Sequence, residues 1–282
     1  MIGTSMKSGR FALALAALIA SATRAPAHDF WIEPSSYRPT VGQRIDIDLR
    51  VGEQFSGDPV ERNPLRIVRF AAVDALGKEE PILGIDKRAP AGLWRAKSTG
   101  LFAIAYESNV TPIELEAPKF ERYLEEEGLQ HVIALRRERG DSAKPGREIY
   151  SRSVKSLVLA VESGKPEPTA IGWDRRLGLP LEIVPEKNPC ALKVGDELPL
   201  RIYFRDEPLA GALVGFIPKS TPKSEVRTRT DADGRVTFKL TADGANMARV
   251  CWMVAAPADS ASDWQSTWSS LTFDVRAPTP PK

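Results

Sequence analysis

One internal repeat constrains the fold of this chain more than any other feature of its sequence. Residues 39–55, PTVGQRIDIDLRVGEQF, and residues 190–209, CALKVGDELPLRIYFRDEPL, both place a Val-Gly turn before a run of alternating apolar and polar side chains. Alternation with a period of two is typical of a β-strand with one buried face. The same strand pattern in each half of the chain predicts two β-sandwich modules in tandem.

Short strand-like segments continue through both halves of the chain. The C-terminal half has the regular spacing of an immunoglobulin-like sandwich, with predicted strands at 181–184, 197–204, 212–217, 225–230, 235–240, 248–254 and 269–275. The N-terminal half is less regular, with predicted strands at 44–51, 65–73, 93–96, 101–107 and 153–161. The sequence therefore predicts a mainly β fold made of two tandem, immunoglobulin-like β-sandwich modules.

The first module should carry one short helical insertion. The segment APKFERYLEEEGL has a proline in its first turn, a single apolar stripe and a closing glycine, which predicts a helix near 118–127. The segment ESGKPEPTAIG is rich in proline and glycine and predicts an interdomain linker over 162–178. The predicted modules are then 28–161 and 179–277, followed by a tail at 278–282.

The start of the chain has the organisation of a secretory signal peptide. Residues 1–27 begin with basic side chains, continue through the apolar run FALALAALIA (11–20), and end with the small-residue motif A-P-A. We therefore expect cleavage between Ala27 and His28 and export to the periplasm. The apolar run is shorter than the ~20 residues that span a bilayer, so we expect no membrane insertion after the signal is removed.

Charge and motifs argue against several classes of function. Removal of the leader takes away Lys7, Arg10 and Arg24, which changes 39 basic and 37 acidic residues to 36 and 37. Nucleic-acid binding depends on a surplus of Lys and Arg, so we expect no nucleic-acid partner. The patterns GxSxG, HExxH, GxxxxGK[ST] and GxGxxG do not occur in a suitable context, which predicts that the protein is not an enzyme.

Two cysteines, Cys190 and Cys251, remain in the processed chain. Disulfides form in exported compartments, and the predicted strands of these residues could be neighbours, so we favour a bridge between them. The alternative is a pair of buried, unreactive thiols.

His28 becomes chemically unusual if cleavage exposes it as the first residue. Its α-amine and its ring Nδ1 can then close a chelate ring on a divalent metal, and imidazole suits copper, nickel and zinc. Further ligands must come from elsewhere in the fold. The candidates are His131, the one other histidine of the chain, and the carboxylates of Asp29 and Glu33.

Both histidines also have simpler interpretations. His131 follows the predicted helix and can be a polar loop residue. The segment HDFWIEP can be the first strand of the sheet, with Phe30 and Ile32, or Trp31, packed inside. These alternatives remain open from the sequence.

Four blocks of sequence, in this order, resemble the DUF4198 family of bacterial exported proteins: HDFWIEPSSYRPTVGQ, KFERYLEEEGL, GREIYSRSVKSLV and DWQSTWSSLTFDV. The resemblance covers residues 28–276 and implies a periplasmic component of nickel or cobalt uptake, the soluble metal-binding partner of a membrane transporter. His28 stands where the mature proteins of the family begin. In RVCWMV (249–254), Trp252 occupies the position where the family pattern has a histidine, so one ligand is missing.

The resulting hypothesis is an exported, non-catalytic protein that handles one divalent transition metal ion, nickel, cobalt or copper, through His28. One alternative is a copper-dependent oxidative enzyme, since such enzymes hold copper with an N-terminal histidine chelate on a similar sandwich. Another is a structural or adaptor protein of the cell envelope that presents sheet edges and loops to a partner.

Overall fold

The computed structural model describes residues 28–276, so the predicted signal peptide and the predicted tail at 278–282 lie outside the described residues. The N-terminal half forms β1 (Asp29–Pro34), β2 (Arg44–Glu53), β3 (Ser56–Val60), β4 (Ile67–Asp74), β5 (Glu79–Pro81), β6 (Gly92–Arg95), β7 (Gly100–Ser108), β8 (Thr111–Leu115), α1 (Ala117–Glu126), α2 (Gln130–Glu138) and β9 (Gly146–Ala160). The C-terminal half forms β10 (Leu181–Pro185), β11 (Glu197–Phe204), β12 (Glu207–Pro208), β13 (Leu213–Pro218), β14 (Val226–Arg229), β15 (Arg235–Lys239), β16 (Gly244–Ala255) and β17 (Trp264–Val275), with 3₁₀ turns at Pro189–Ala191 and Pro222–Ser224. The prediction of a mainly β fold is confirmed.

The repeat found in the sequence corresponds to a repeated arrangement of strands. β2 pairs with β1, β3 and β6 in one small sheet, and β11 pairs with β10, β12 and β15 in another. The Val-Gly turns that precede them place Gly42 at φ 84° and Gly195 at φ 100°, a backbone region that favours glycine. The two halves of the chain therefore enter equivalent strands through the same turn.

The remaining strands of both halves join in one larger sheet. Its order is β14-β13-β16-β17-β9-β7-β4-β5, and β8 also pairs with β9. β17 runs parallel to β9, from Trp264 opposite Glu148 to Thr272 opposite Ser156, and the other pairs in the sheet are antiparallel. The two sandwiches thus meet edge to edge through their last strands.

The two small sheets cover opposite faces of this large sheet. Neighbouring side chains of a strand point to opposite faces, and on β9 Val154 and Val158 pack towards the β1–β2 sheet. Leu157 and Leu159 on the same strand pack towards the β10–β11 sheet. The predicted linker 162–178 contributes to this second core through packed side chains, including Trp173 and Leu177.

The helices cover the part of the first face that the β1–β2 sheet leaves open. α1 confirms the predicted helix, and Gly128 follows it at φ 68°. A second helix, α2, was not expected, and it places His131 in a helical turn where the sequence suggested a loop. Phe120 and Leu124 of α1 and Val132 of α2 pack in one apolar cluster with Trp268 of β17. Within residues 28–276, no helix is long and apolar enough to cross a membrane.

The two cysteines do not form the favoured disulfide. Cys190 lies in a 3₁₀ turn and belongs to the core under the β10–β11 sheet, whereas Cys251 lies on β16 in the cluster beneath the helices. Both are free and buried. The expectation of a bridge was wrong because Cys190 is not on a strand and the two side chains occupy cores on opposite faces of the large sheet.

Candidate functional site

β1 fixes the position of His28, the residue that directly precedes it. Asp29 pairs with Gly52 of β2, and the register continues to Pro34. β1 is also held by the large sheet beneath it, because Ser270 Oγ donates a hydrogen bond to the Phe30 carbonyl at 2.8 Å. The segment HDFWIEP therefore forms a buried first strand, which was one of the interpretations of the sequence, and the partly exposed His28 directly precedes it.

His28 faces the hairpin between β2 and β3. Its Nδ1 lies 3.0 Å from Glu53 Oε1, yet this ring nitrogen is shielded from solvent and makes no hydrogen bond within the described residues. The His28 carbonyl accepts a hydrogen bond from Arg152 Nη1 at 2.9 Å. An open depression of about 510 Å³ beside the ring is lined by the hairpin, including Gly52 and Ser56.

The hairpin turn holds Glu53 in a defined place. Gln54 and Phe55 have φ of 51° and 55°, as a two-residue type I′ turn requires at both central positions. Side chains other than Gly, Asn and Asp rarely adopt this region. Phe55 offsets the cost by burying its ring edge-on against Trp31, with ring centroids 5.4 Å apart.

Asp29 does not share a site with His28. Its carboxylate lies 3.1 Å from Arg249 Nε, and the same guanidinium contacts Glu127 at 3.0 Å and Glu225 at 2.9 Å. Burial raises the pKa of Asp29 to about 7, because it outweighs the positive charge of Arg249, which lowers the pKa. Arg249 and Arg227, the latter 3.0 Å from Glu225, face three carboxylates. The cluster therefore keeps a net negative charge in a buried place, and a proton on Asp29 relieves it.

Glu33 is also occupied by other partners. It accepts a hydrogen bond from Trp31 Nε1 at 3.1 Å and forms an ion pair with Lys219. Burial alone would raise the pKa of Glu33, but the hydrogen bonds from Lys219 and Trp31 outweigh it and lower the pKa. This carboxylate joins β1 to the C-terminal half of the chain.

His131 lies in the first turn of α2 and contacts β16. Its Nε2 is 2.7 Å from the Met253 carbonyl, and its ring stacks on Trp252 with centroids 4.2 Å apart. Trp252 is the residue that replaces the histidine of the family pattern. Within residues 28–276 no three His, Cys, Asp or Glu side chains are grouped so that they could hold a metal ion, so the four predicted ligands are not brought to one place.

Two residues near His28 were missed by sequence reasoning. Glu53 lies near the end of the first copy of the internal repeat, and Arg152 lies in the block GREIYSRSVKSLV. A hairpin was detectable from VGEQFSG, but only the register between β1 and β2 brings Glu53 beside His28. The contact of Arg152 depends on β1 crossing over β9, for which the sequence carries no local signal.

Comparisons with known proteins identify the family but no close relative of known activity. Residues 25–253 match the family described as "Domain of unknown function (DUF4198)", and no curated protein matches. Among solved structures, the D0-D1 domain of Intimin is 12% identical, covering 88% of this chain and 98% of that one with a TM-score of 0.22. Three N-terminal domains of the bacteriophage RB49 Highly Immunogenic Outer Capsid protein (Hoc) are 10% identical, covering 86% and 59%, with a TM-score of 0.19. TM-scores this low carry no argument, whereas the family match spans most of the sequence: the chain belongs to the DUF4198 family.

Proposed function

We propose that the processed protein is an exported, non-catalytic binding protein of the periplasm that carries a divalent transition metal ion, nickel or cobalt, at His28. The contact that supports this proposal is the approach of His28 Nδ1 to Glu53 Oε1 at 3.0 Å. A shielded ring nitrogen without a hydrogen bond is an available metal ligand. The neighbouring carboxylate supplies a second ligand and negative charge.

Cleavage before His28 creates the third donor. The new α-amine and Nδ1 belong to one residue and can bind one ion as a chelate, and both bind only in their deprotonated forms. Glu53 supplies the carboxylate ligand that the sequence hypothesis assigned to Asp29 or Glu33. Its side chain is 72% exposed, so it can turn towards an ion, whereas Asp29 and Glu33 are committed to Arg249 and Lys219.

A site with three protein donors suits a transported ion. Structural zinc sites use four protein ligands in a closed shell, and a site with fewer leaves positions for water or for a ligand from another protein. The depression beside His28 is open to solvent, which gives a receiving protein access to the ion. We infer that the partner is a membrane transporter for metal uptake.

The oxidative-enzyme alternative requires a second imidazole beside His28. The ring of His131 is held by the Met253 carbonyl and by Trp252, so this enzyme would need α2 to release it. Within residues 28–276 no contact favours the adaptor alternative over metal binding, and we therefore propose the non-catalytic carrier alone.

Calorimetric titration of nickel into protein that begins at His28 tests the proposal. We expect about one ion per chain, with uptake that rises between roughly pH 6 and pH 8 as the amine and imidazole classes lose their protons. An additional glycine ahead of His28 leaves every side chain in place and moves the amine away. It should weaken binding by at least about tenfold, because it removes one of three donors.

Side-chain variants identify the other ligands. His28→Ala and Glu53→Gln should each weaken nickel binding, and His131→Ala is the matched control because its ring contacts Met253 and Trp252. Equal uptake by the glycine-extended protein and the protein that begins at His28 would refute a site at the terminus. If His131→Ala lost nickel uptake and Glu53→Gln kept it, the result would favour the ligands of the sequence hypothesis, His28 and His131, over Glu53.

A further inference from the structure

A second cavity, of about 730 Å³, is lined by Phe30 of β1, Val51 of β2 and the segment 61–66 between β3 and β4. Its volume lies within the range of small-molecule sites. Apolar groups, including Phe30, Leu65 and Tyr150, form much of its lining. Leu65 is 83% exposed. The cavity therefore offers an apolar surface to an organic molecule.

Arg152 lines this cavity and forms no ion pair within residues 28–276, although the carboxylates of Asp29 and Glu148 lie in its electrostatic field. It is 7% exposed, and its guanidinium donates to the His28 carbonyl. It lies over the rings of Phe30, Tyr150 and Trp268 at 5.1, 5.2 and 5.2 Å. A buried charge is normally paired, and guanidinium has five donors of which few are used here. Arg152 thus has the capacity to bind an anion.

Other cationic groups converge on the same space. The hydroxyl of Tyr106 lies in the electrostatic field of Arg152, Arg66 and Arg62, and all four residues line the cavity. Arg62 is structural, since its Nη1 donates to the Ile82 and Ala91 carbonyls at 3.3 and 3.1 Å. Arg66 is exposed and forms no ion pair in the described part of the chain. Four cationic and two acidic side chains line the cavity, which gives a net charge of about +2.

We propose that this cavity binds a small organic monocarboxylate with an aromatic or aliphatic body. Arg152 and Arg66 hold the carboxylate, because guanidinium matches carboxylate geometry with two parallel hydrogen bonds. Tyr106 donates a further hydrogen bond from its hydroxyl. The apolar body packs on Phe30, Tyr150 and Leu65, which is why an inorganic anion such as phosphate is a poorer occupant. The site needs neither the new terminus nor a metal ion.

Titration of 4-phenylbutyrate into the metal-free protein that begins at His28 tests this site. We expect binding of one molecule per chain, and binding at least about tenfold weaker for 4-phenylbutyramide, which has the same shape and no charge. Inorganic phosphate, which has charge and no apolar body, should also bind at least about tenfold more weakly. Absence of binding by 4-phenylbutyrate up to about 10 mM, or equal binding of the amide or of phosphate, would overturn the proposal.

Substitutions locate the binding and separate it from the metal site. Arg66→Gln should weaken 4-phenylbutyrate binding by about tenfold without affecting the fold, because Arg66 is exposed. Arg122→Gln, an exposed arginine of α1 that does not line the cavity, is the matched control and should leave the affinity unchanged. Equal affinities of the two variants for 4-phenylbutyrate would show that its carboxylate does not bind at Arg66. His28→Ala should leave 4-phenylbutyrate binding intact, so failure of the nickel site and failure of this site are distinguishable.

Discussion

Replacement of Glu148 by glutamine should remove a pH dependence that this carboxyl imposes on stability. Glu148 lies on β9 and is 1% exposed. Tyr123 Oη donates to Glu148 Oε1 at 3.2 Å, and Ser266 Oγ donates to the same oxygen. Oε2 is buried and has no hydrogen-bond partner among the described residues. Burial outweighs the two hydrogen bonds and raises the pKa of Glu148 from 4.5 to about 7.

The sign of the effect follows from proton linkage. The folded protein binds this proton more tightly than the unfolded chain, so the contribution to stability is fully present below about pH 4.5 and is lost as the pH rises through about 7. One pKa unit corresponds to about 1.4 kcal/mol. The shift of Glu148 therefore amounts to about 3 kcal/mol, of which about 2.5 kcal/mol falls between pH 5 and pH 8.

Urea unfolding of both proteins at about pH 5 and pH 8 measures this difference. Glutamine keeps an oxygen that accepts from Tyr123 and Ser266 but cannot ionise. The stability of Glu148→Gln relative to the unmodified protein should rise by about 2.5 kcal/mol from the lower to the higher pH. Glu114→Gln, an exposed position on β8, is the control and should show no such rise. The same relative stability of Glu148→Gln at both pH values would refute the reasoning.

Three other buried features have measurable consequences. Glu182→Gln leaves Lys155, 2.7 Å from Glu182 and 2% exposed, as an unpaired charge and should cost about 3–5 kcal/mol in urea unfolding; full stability would contradict this. Lys155→Met combined with Glu182→Gln should recover part of the loss, because glutamine keeps an oxygen that can accept from the backbone amide of Leu177. Phe55→Ala should lower the free energy of unfolding by about 3–5 kcal/mol in the same assay and should weaken nickel uptake. Unaltered uptake would show that the β2–β3 turn does not position Glu53 for the metal ion. Cys190 and Cys251, both free and buried, should react with iodoacetamide only in denaturant, without a mass change on reduction; rapid labelling of folded protein would contradict their burial.

The parts of the fold that the sequence predicts are those in which one strand has two different faces. Alternation predicts β11 at its observed bounds, Glu197–Phe204, because Leu198 and Leu200 are buried and their neighbours are more exposed. β3, with the sequence SGDPV, has no such pattern and was missed. The parallel pairing of β9 with β17 was also missed, because residues such as Glu148 and Trp264 meet only after the whole C-terminal half has folded between them.

The sequence predicted one residue of the candidate site, His28, but not the side chains that surround it. His28 and Asp29 are neighbours in sequence, and their proximity suggested a shared metal ion. Successive side chains of an extended chain point to opposite sides, so His28 meets Glu53 while Asp29 meets Arg249. A partner in the fold can therefore be inferred from sequence only once the strand register is known.

The position of β1 is determined jointly by both halves of the protein. β1 pairs with β2 of the N-terminal half, while Ser270 and Thr272 of β17 donate hydrogen bonds to the carbonyls of Phe30 and Ile32. A slip of one residue would exchange the two faces of β1 and expose side chains that are now buried. Since this register is enforced by both sheets, processing one residue earlier or later cannot be corrected by sliding. Under the proposed function, cleavage one residue earlier would move the α-amine about 3.3 Å along the chain from His28, which is more than a metal–ligand bond allows, and cleavage one residue later would remove His28.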